Sequence, residues 1–165
     1  MKQMGSVPKE EKADFGKKVN EFPEHIFFED QPFSYSCTLA ANRVVCVPQV
    51  VYHHYKRSGS IVQSFNQKNI DDMMTAYKMI KEYLQKNNIY KKFRFNYYSS
   101  LQHFYNLIVR QIFEFVPDEK SKKEYLKYSF IRLKEVIDID EYIDFLSSEE
   151  LRKHIQPNIT DTTIY

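Results

Sequence analysis

The chain has 165 residues, enough for one domain with a buried core. Its 24 Lys and Arg residues nearly balance 22 Asp and Glu residues, so the net charge of +2 does not demand a nucleic-acid partner. The three glycines, Gly5, Gly16 and Gly59, are too few for the glycine-rich loops that hold phosphates in P-loop and dinucleotide-binding proteins, so both site types are excluded.

The cysteines and the distribution of apolar residues predict a soluble protein of the cytoplasm. Cys37 and Cys46 are separated by eight residues, a spacing that matches no common metal or redox motif, and reduced thiols are typical of that compartment. No run approaches the ~20 apolar residues of a membrane span. The polar N-terminus also lacks the apolar core of a signal peptide.

The first third of the chain is predicted to hold a small αββ segment. Residues 1–20 are polar and are expected to form a flexible lead-in. Apolar residues recur at helical spacing across 30–43 and predict a helix of about three turns. The β-branched stretches 43–47 and 50–57 predict two short strands.

The rest of the chain is predicted to be helical. Apolar residues at helical spacing indicate three substantial helices after residue 65, the first ending near Asn88 and the second at Pro117. Ser121 with Glu124 has the form of a capping box for the third, and Ser147 with Glu150 could cap a last short helix. The fold class is therefore mainly α (α+β), with the αββ segment in 21–64, a helical bundle in 65–155 and a tail in 156–165.

The adjacent acids Glu29 and Asp30 follow an aromatic run and have two interpretations. Asp is a favoured helix N-cap, and acids suit the positive end of the helix dipole. Alternatively, one carboxylate is a general base at the edge of a sheet while the other contacts a backbone or cationic partner.

A second polar cluster follows the second predicted strand. Lys56, Arg57, Ser58 and Ser60 surround Gly59, and cations with a Ser-Gly-Ser turn suit a phosphate or diphosphate. The alternative is an exposed basic loop. His53 and His54 would point to opposite faces of the strand, so they do not predict a metal site.

Two further motifs have the composition of possible binding sites. Residues 90–98 interleave cations with aromatics, as a single-strand nucleic-acid binder or a membrane-surface segment does, but the pattern also fits a solvated helix start with a buried aromatic face. Asp138-Ile139-Asp140 has the form of the DxD metal motif of nucleotide-sugar enzymes. It falls between two helical patterns, where we expect a helix cap instead.

In order along the chain, F-P-E-x-I-F-F-E-D-x-P-F, a helix, and R-V-V-C-V-P-Q-V-V-Y-H-H-Y-K-R-S-G-S-I resemble the C-terminal part of family 2 glycosyltransferases. The resemblance covers 22–61 and is to the inverting enzymes of the bacterial capsule, exopolysaccharide and teichoic-acid kind. It implies that 21–64 is the end of a GT-A catalytic domain. It also implies that Asp30 is the catalytic base with Glu29 as its partner, and that the polar cluster at 56–60 (Lys56, Arg57, Ser58 and Ser60) binds the donor diphosphate.

The implied reaction transfers a sugar from a nucleotide sugar to a glycan or polyol-phosphate acceptor, with Mg or Mn on the diphosphate in the complete enzyme. In that family the donor-binding half lies upstream, and only 28 residues precede Glu29 here. The chain is therefore expected to be an inactive piece without a cofactor of its own. We expect peripheral contact with the inner membrane face. We also expect self-association through Phe27, Phe28 and Val45, and no nucleic-acid partner.

Two hypotheses that assign the chain a different kind of function remain open. A non-catalytic helical protein-interaction module predicts that Glu29 and Asp30 merely cap a helix and that the largest exposed apolar patch lies elsewhere. A nucleic-acid or membrane-surface binder acting through 90–98 predicts steep salt dependence of binding.

Overall fold

The computed structural model describes residues 19, 21–50, 52–53 and 65–148. These residues contain five α-helices and no strand, so the fold is mainly α and the predicted helical bundle is confirmed. The helices are α1 (Asp30–Ala40), α2 (Gln67–Lys86), α3 (Tyr90–Phe115), α4 (Glu119–Leu133) and α5 (Ile139–Ser147).

The described part of the predicted αββ segment keeps its helix but forms no strand. Residues 43–47 form neither helix nor strand. Of the second predicted strand, the structure describes residues 50, 52 and 53, and these are not in a strand either. The prediction fails because β-propensity reflects packing beside a neighbouring strand, and the described residues supply no neighbour.

Helix α2 begins and ends where local chemistry dictates. The Asn66 side chain accepts a hydrogen bond from Lys68 N at 2.9 Å, while Asn69 Oδ1 accepts one from Asn66 N at 2.9 Å, a reciprocal capping box. The chain leaves the helix through Asn88 at φ 58°, a left-handed conformation that Asn tolerates. The predicted end of this helix is confirmed.

Helix α3 incorporates the basic–aromatic stretch 90–98 as its first turns, which confirms the helix-start interpretation. It runs for 26 residues and ends at Phe115, two residues before Pro117, whose ring and missing N–H prevent continuation. Tyr97 and Tyr98 lie on its buried face.

The caps of α4 and α5 are both aspartates. Asp118 Oδ1 accepts a hydrogen bond from Ser121 N at 2.8 Å, and this bond holds the pKa of Asp118 below its usual value. The predicted Ser121–Glu124 capping box is therefore wrong, because the helix starts one turn earlier.

Asp138 caps α5. Its Oδ1 accepts a hydrogen bond from Glu141 N at 3.1 Å, so the interpretation of Asp138-Ile139-Asp140 as a cap is confirmed. The Glu150 of the other predicted cap lies outside the described residues.

A single core joins the helices. Helix α2 packs against α1, α3 and α4, and α3 also packs against α4 and α5. The core contains buried tyrosines as well as aliphatic side chains; its largest fully buried members include Tyr77, Tyr97, Tyr98, Ile70, Met73, Met74, Ile80, Leu84, Leu101, Ile108 and Ile112. None of the described helices combines the length and apolar character needed to cross a membrane.

Candidate functional site

The acidic pair marks the start of α1. Asp30 is the first helical residue and is exposed, and among the described residues its Oδ2 accepts a single, long hydrogen bond of 3.4 Å from Gln31 Nε2. Glu29 precedes the helix and its side chain makes no capping hydrogen bond. A negative charge in the first turn still interacts favourably with the helix dipole. Helix α1 begins at this pair, as the helix N-terminus interpretation predicts, but neither acid forms the predicted side-chain cap.

The segment just before the acidic pair is held against α2 by Asp72. Phe27 N donates to Asp72 Oδ2 at 2.8 Å, and Lys68 Nζ donates to the same oxygen at 2.5 Å. Lys68 also donates to His25 O at 2.9 Å and lies 4.8 Å above the Phe27 ring. His25 and Phe28 adopt left-handed φ values of 65° and 62°, which are costly for residues with a side chain and persist only where surrounding contacts impose them.

Phe27, Phe28 and Val45, the residues predicted to form a bare face, have different environments. Phe28 packs edge-on against Phe104 with ring centroids 6.3 Å apart, and Phe27 is partly covered. Val45 is exposed. Self-association through these three residues stays a prediction.

The most exposed apolar residues follow α1. In residues 43–52, called the apolar segment here, Val44, Val45, Val47, Val50 and Tyr52 are between 57% and 76% exposed. Residues 43–50 make no backbone hydrogen bond with the described part of the chain. Contiguous exposed apolar patches on soluble proteins mark interaction sites.

The other predicted site residues, Lys56, Arg57, Ser58 and Ser60, lie outside the described residues. The structure therefore does not locate them relative to Asp30 and Glu29, and the roles of all six stay predictions. Within the described ranges, no group of three or more His, Cys, Asp or Glu side chains could hold a metal ion.

A cavity of about 320 Å³ lies between α3 and α5. It is lined by Lys91, Lys92, Arg94, Phe95, Tyr98, Glu141, Asp144, Phe145 and Ser148. Glu141 is held in place from α3, because its Oε2 accepts hydrogen bonds from Tyr90 OH at 2.6 Å and Tyr98 OH at 3.1 Å. Arg94 Nη1 lies 3.9 Å from the other carboxylate oxygen.

The electrostatics of this cavity favour a structural role for its carboxylate. A tyrosine with the ordinary pKa of about 10 is already protonated at neutral pH. Burial raises the pKa of Tyr90 and of Tyr98 further, and both phenols donate to Glu141. Lys91 and Lys92 form no ion pair within the described ranges. Sequence reasoning missed Glu141, since its partners are 51 and 43 residues away and no local pattern indicates them.

The comparisons with known proteins do not support the glycosyltransferase resemblance. The family model that matches is the aminoacyl tRNA synthetase class II, N-terminal domain, over residues 1–26. This match points away from a glycosyltransferase, so the resemblance drawn from 22–61 is wrong. No curated protein and no solved structure is similar enough to match the chain. The 26 matched residues are a small part of the 165, and most lie outside the described ranges, so they assign no family to the whole chain.

Proposed function

We propose that this chain is a non-catalytic helical module that binds another protein through the apolar segment. The observation that carries this proposal is the exposure of Val44, Val45, Val47, Val50 and Tyr52 in one short stretch. Leaving such a stretch in water forgoes the free energy of burying it, about 25 cal/mol for each Å² of apolar surface. A protein surface that covers these side chains would recover that free energy. The exposed thiol of Cys46 fits the reducing cytoplasm, where we place the module.

The sequence of the apolar segment favours binding at the edge of a β-sheet. Its valines have high strand propensity, yet they lack a neighbouring strand among the described residues. In an extended conformation Val45 and Val47 would share one face, because side chains alternate along a strand. An exposed sheet edge in a partner would pair with the backbone groups that make no hydrogen bond among the described residues, and would accept alternate side chains, as in β-augmentation. Pro48 lacks an N–H, so we expect pairing to run through 43–47.

The bundle presents the apolar segment from a fixed position. Helix α1 ends at Ala40, three residues before the segment. It is attached to the core by Tyr83 OH, which donates to Ser36 O at 3.3 Å, and by Tyr35 OH, which donates to Asn96 O at 3.1 Å. A fixed attachment point lowers the entropy lost when the segment is ordered on binding.

A proline substitution tests the proposed binding mode. Proteins captured from cells by the wild-type chain would be purified and titrated against it and its variants. We expect Val45→Pro to weaken binding by about tenfold or more, because it removes a ladder donor and keeps an apolar side chain. Val45→Thr keeps strand propensity and should weaken binding less, by about threefold.

Phe113→Ser is the matched control, since Phe113 is equally exposed but lies on α3. It should leave affinity unchanged. Equal binding by wild type and Val45→Pro would rule out strand addition in which the Val45 N–H pairs with the partner.

A second candidate function is tRNA binding. It is favoured by the match of residues 1–26 to a tRNA synthetase domain, together with the cations Lys91, Lys92 and Arg94 at the start of α3. If it holds, the affinity for labelled tRNA in fluorescence anisotropy should fall steeply between about 0.05 and 0.2 M salt, as counterions are released. Lys91→Glu/Lys92→Glu should weaken binding about tenfold, more than the same charge change at Lys123 and Lys127 on α4. If both double variants lost the same amount of tRNA affinity, the binding would be non-specific electrostatic attraction and the proposed site on α3 would be wrong.

A further inference from the structure

Helix α4 carries a basic face that the bundle does not cover. Lys120, Lys123 and Lys127 are exposed and spaced three and four residues apart, so they lie on one side of the helix. The same side continues through Ile131 to Lys134, and Phe130 is exposed beside it. We call these six residues the basic face; the exposed Glu124 borders it, so its charge is positive on balance. Its lysines form no ion pair within the described ranges.

Helix α5 carries a face of opposite charge. Ile139, Ile143 and Leu146 are exposed at intervals of four and three residues, and so form one apolar stripe. Asp140 and Asp144 are exposed along one side of this stripe. We call these five residues the acidic face. Neither aspartate forms an ion pair within the described ranges.

We propose that the basic face of one copy docks against the acidic face of a second copy. The two surfaces match in charge, lysines against aspartates, and each supplies apolar side chains for the other to bury. The net charge of +2 is small, so two copies repel each other weakly. Because every copy carries both faces, a twofold arrangement would form the contact twice and close as a dimer.

A second copy explains both faces better than a membrane or a nucleic acid does. Either of those would attract the lysines of the basic face, but neither would supply cations to pair with Asp140 and Asp144. The acidic residues in the first turn of α5 also interact favourably with the helix dipole. That interaction does not account for the exposure of Ile139, Ile143 and Leu146.

The test is a charge exchange followed by analytical ultracentrifugation of the full chain. We expect the wild type to sediment as a dimer at sub-millimolar concentration, and its dissociation constant to rise about threefold or more between about 0.05 and 0.5 M salt. Lys123→Glu/Lys127→Glu and Asp144→Lys should each weaken self-association about tenfold. Mixing these two variants should restore a mixed dimer, because their altered charges are again opposite. Ile143→Ser tests the apolar part without a change of charge and should also favour the monomer.

Circular dichroism would check that each variant folds, and Val45→Pro should leave the dimer intact, which separates this contact from the apolar segment. A wild type that stays monomeric would overturn the proposal, as would a mixture that gives no mixed species. Binding of anionic vesicles or RNA that depends on Lys123 and Lys127, with the chain still monomeric, would assign the basic face to that ligand and overturn it as well.

Discussion

Raising the pH above about 10 will unfold the helical bundle over a narrow pH interval. Tyr77 and Tyr97 are fully buried, and burial raises the pKa of each phenol above its usual value. Tyr142 is about half buried and its pKa is raised to about 12, which acts in the same direction. Tyrosine is neutral when protonated, so the folded state retains protons that the unfolded chain releases.

The sign of the effect follows from this difference in bound protons. Below about pH 10, the pKa of tyrosine in the unfolded chain, the tyrosines are protonated in both the folded and the unfolded state. In that range their full contribution to the free energy of unfolding is present. Between the unfolded and folded pKa values, each such tyrosine lowers the free energy of unfolding by about 1.4 kcal/mol for every pH unit. Two of them remove about 2.8 kcal/mol per pH unit, a large part of the stability of a domain this size.

Far-ultraviolet circular dichroism and phenolate absorbance would follow the transition together. Tyr97→Phe removes one titrating group, at the cost of the hydrogen bond from Tyr97 OH to Val136 O at 3.0 Å. We expect that variant to be less stable at neutral pH but to lose stability less steeply above pH ~10. Titration of all 13 tyrosines at their ordinary pKa while the helical signal persists would contradict the burial of Tyr77 and Tyr97.

Replacing Asp72 will destabilise the fold and release the segment before α1. The carboxylate is nearly buried and accepts the backbone N–H of Phe27, so Asp72→Ala leaves that donor unpaired. We expect a loss of about 2 kcal/mol in urea unfolding, within the range for hydrogen bonds to charged groups. Lys68 adds little to that figure because its side chain is 46% exposed.

Asp72→Asn keeps one acceptor oxygen and should cost less than Asp72→Ala. Glu114→Gln, on the exposed surface of α3, is the control and should change stability by less than about 0.5 kcal/mol. Amide hydrogen exchange should quicken at Phe27 in the Asp72 variants, since its N–H loses its acceptor. An unchanged exchange rate at Phe27 would mean that Asp72 does not hold this segment.

The sequence predicted the helices well because their signals are local. The apolar spacing that defines α2 and α3 lies within each helix, and Asn88 and Pro117 end them through their own backbone properties. The same local reasoning failed for the two predicted strands, 43–47 and 50–57, whose described residues do not form strands. A strand requires a partner strand, and valine-rich residues alone do not say whether one is present.

The candidate sites were harder to predict for two physical reasons. Contacts such as Tyr90 with Glu141 and Phe27 with Asp72 join residues 51 and 45 positions apart, so only the packed helices bring them together. The acidic pair Glu29 and Asp30 is explained locally as the start of a helix. The residue types alone could not distinguish that role from the role of a catalytic carboxylate.

Amide hydrogen exchange across residues 43–47 tests the proposed function most directly. In the isolated chain these amides should exchange about as fast as those of an unstructured peptide, because they make no backbone hydrogen bond with the described residues. When the captured protein partner is added, we expect them to be slowed about tenfold or more, and Val45→Pro to abolish the slowing. Unchanged exchange at 43–47 in a complex whose protection lies elsewhere on the bundle would contradict binding through the apolar segment.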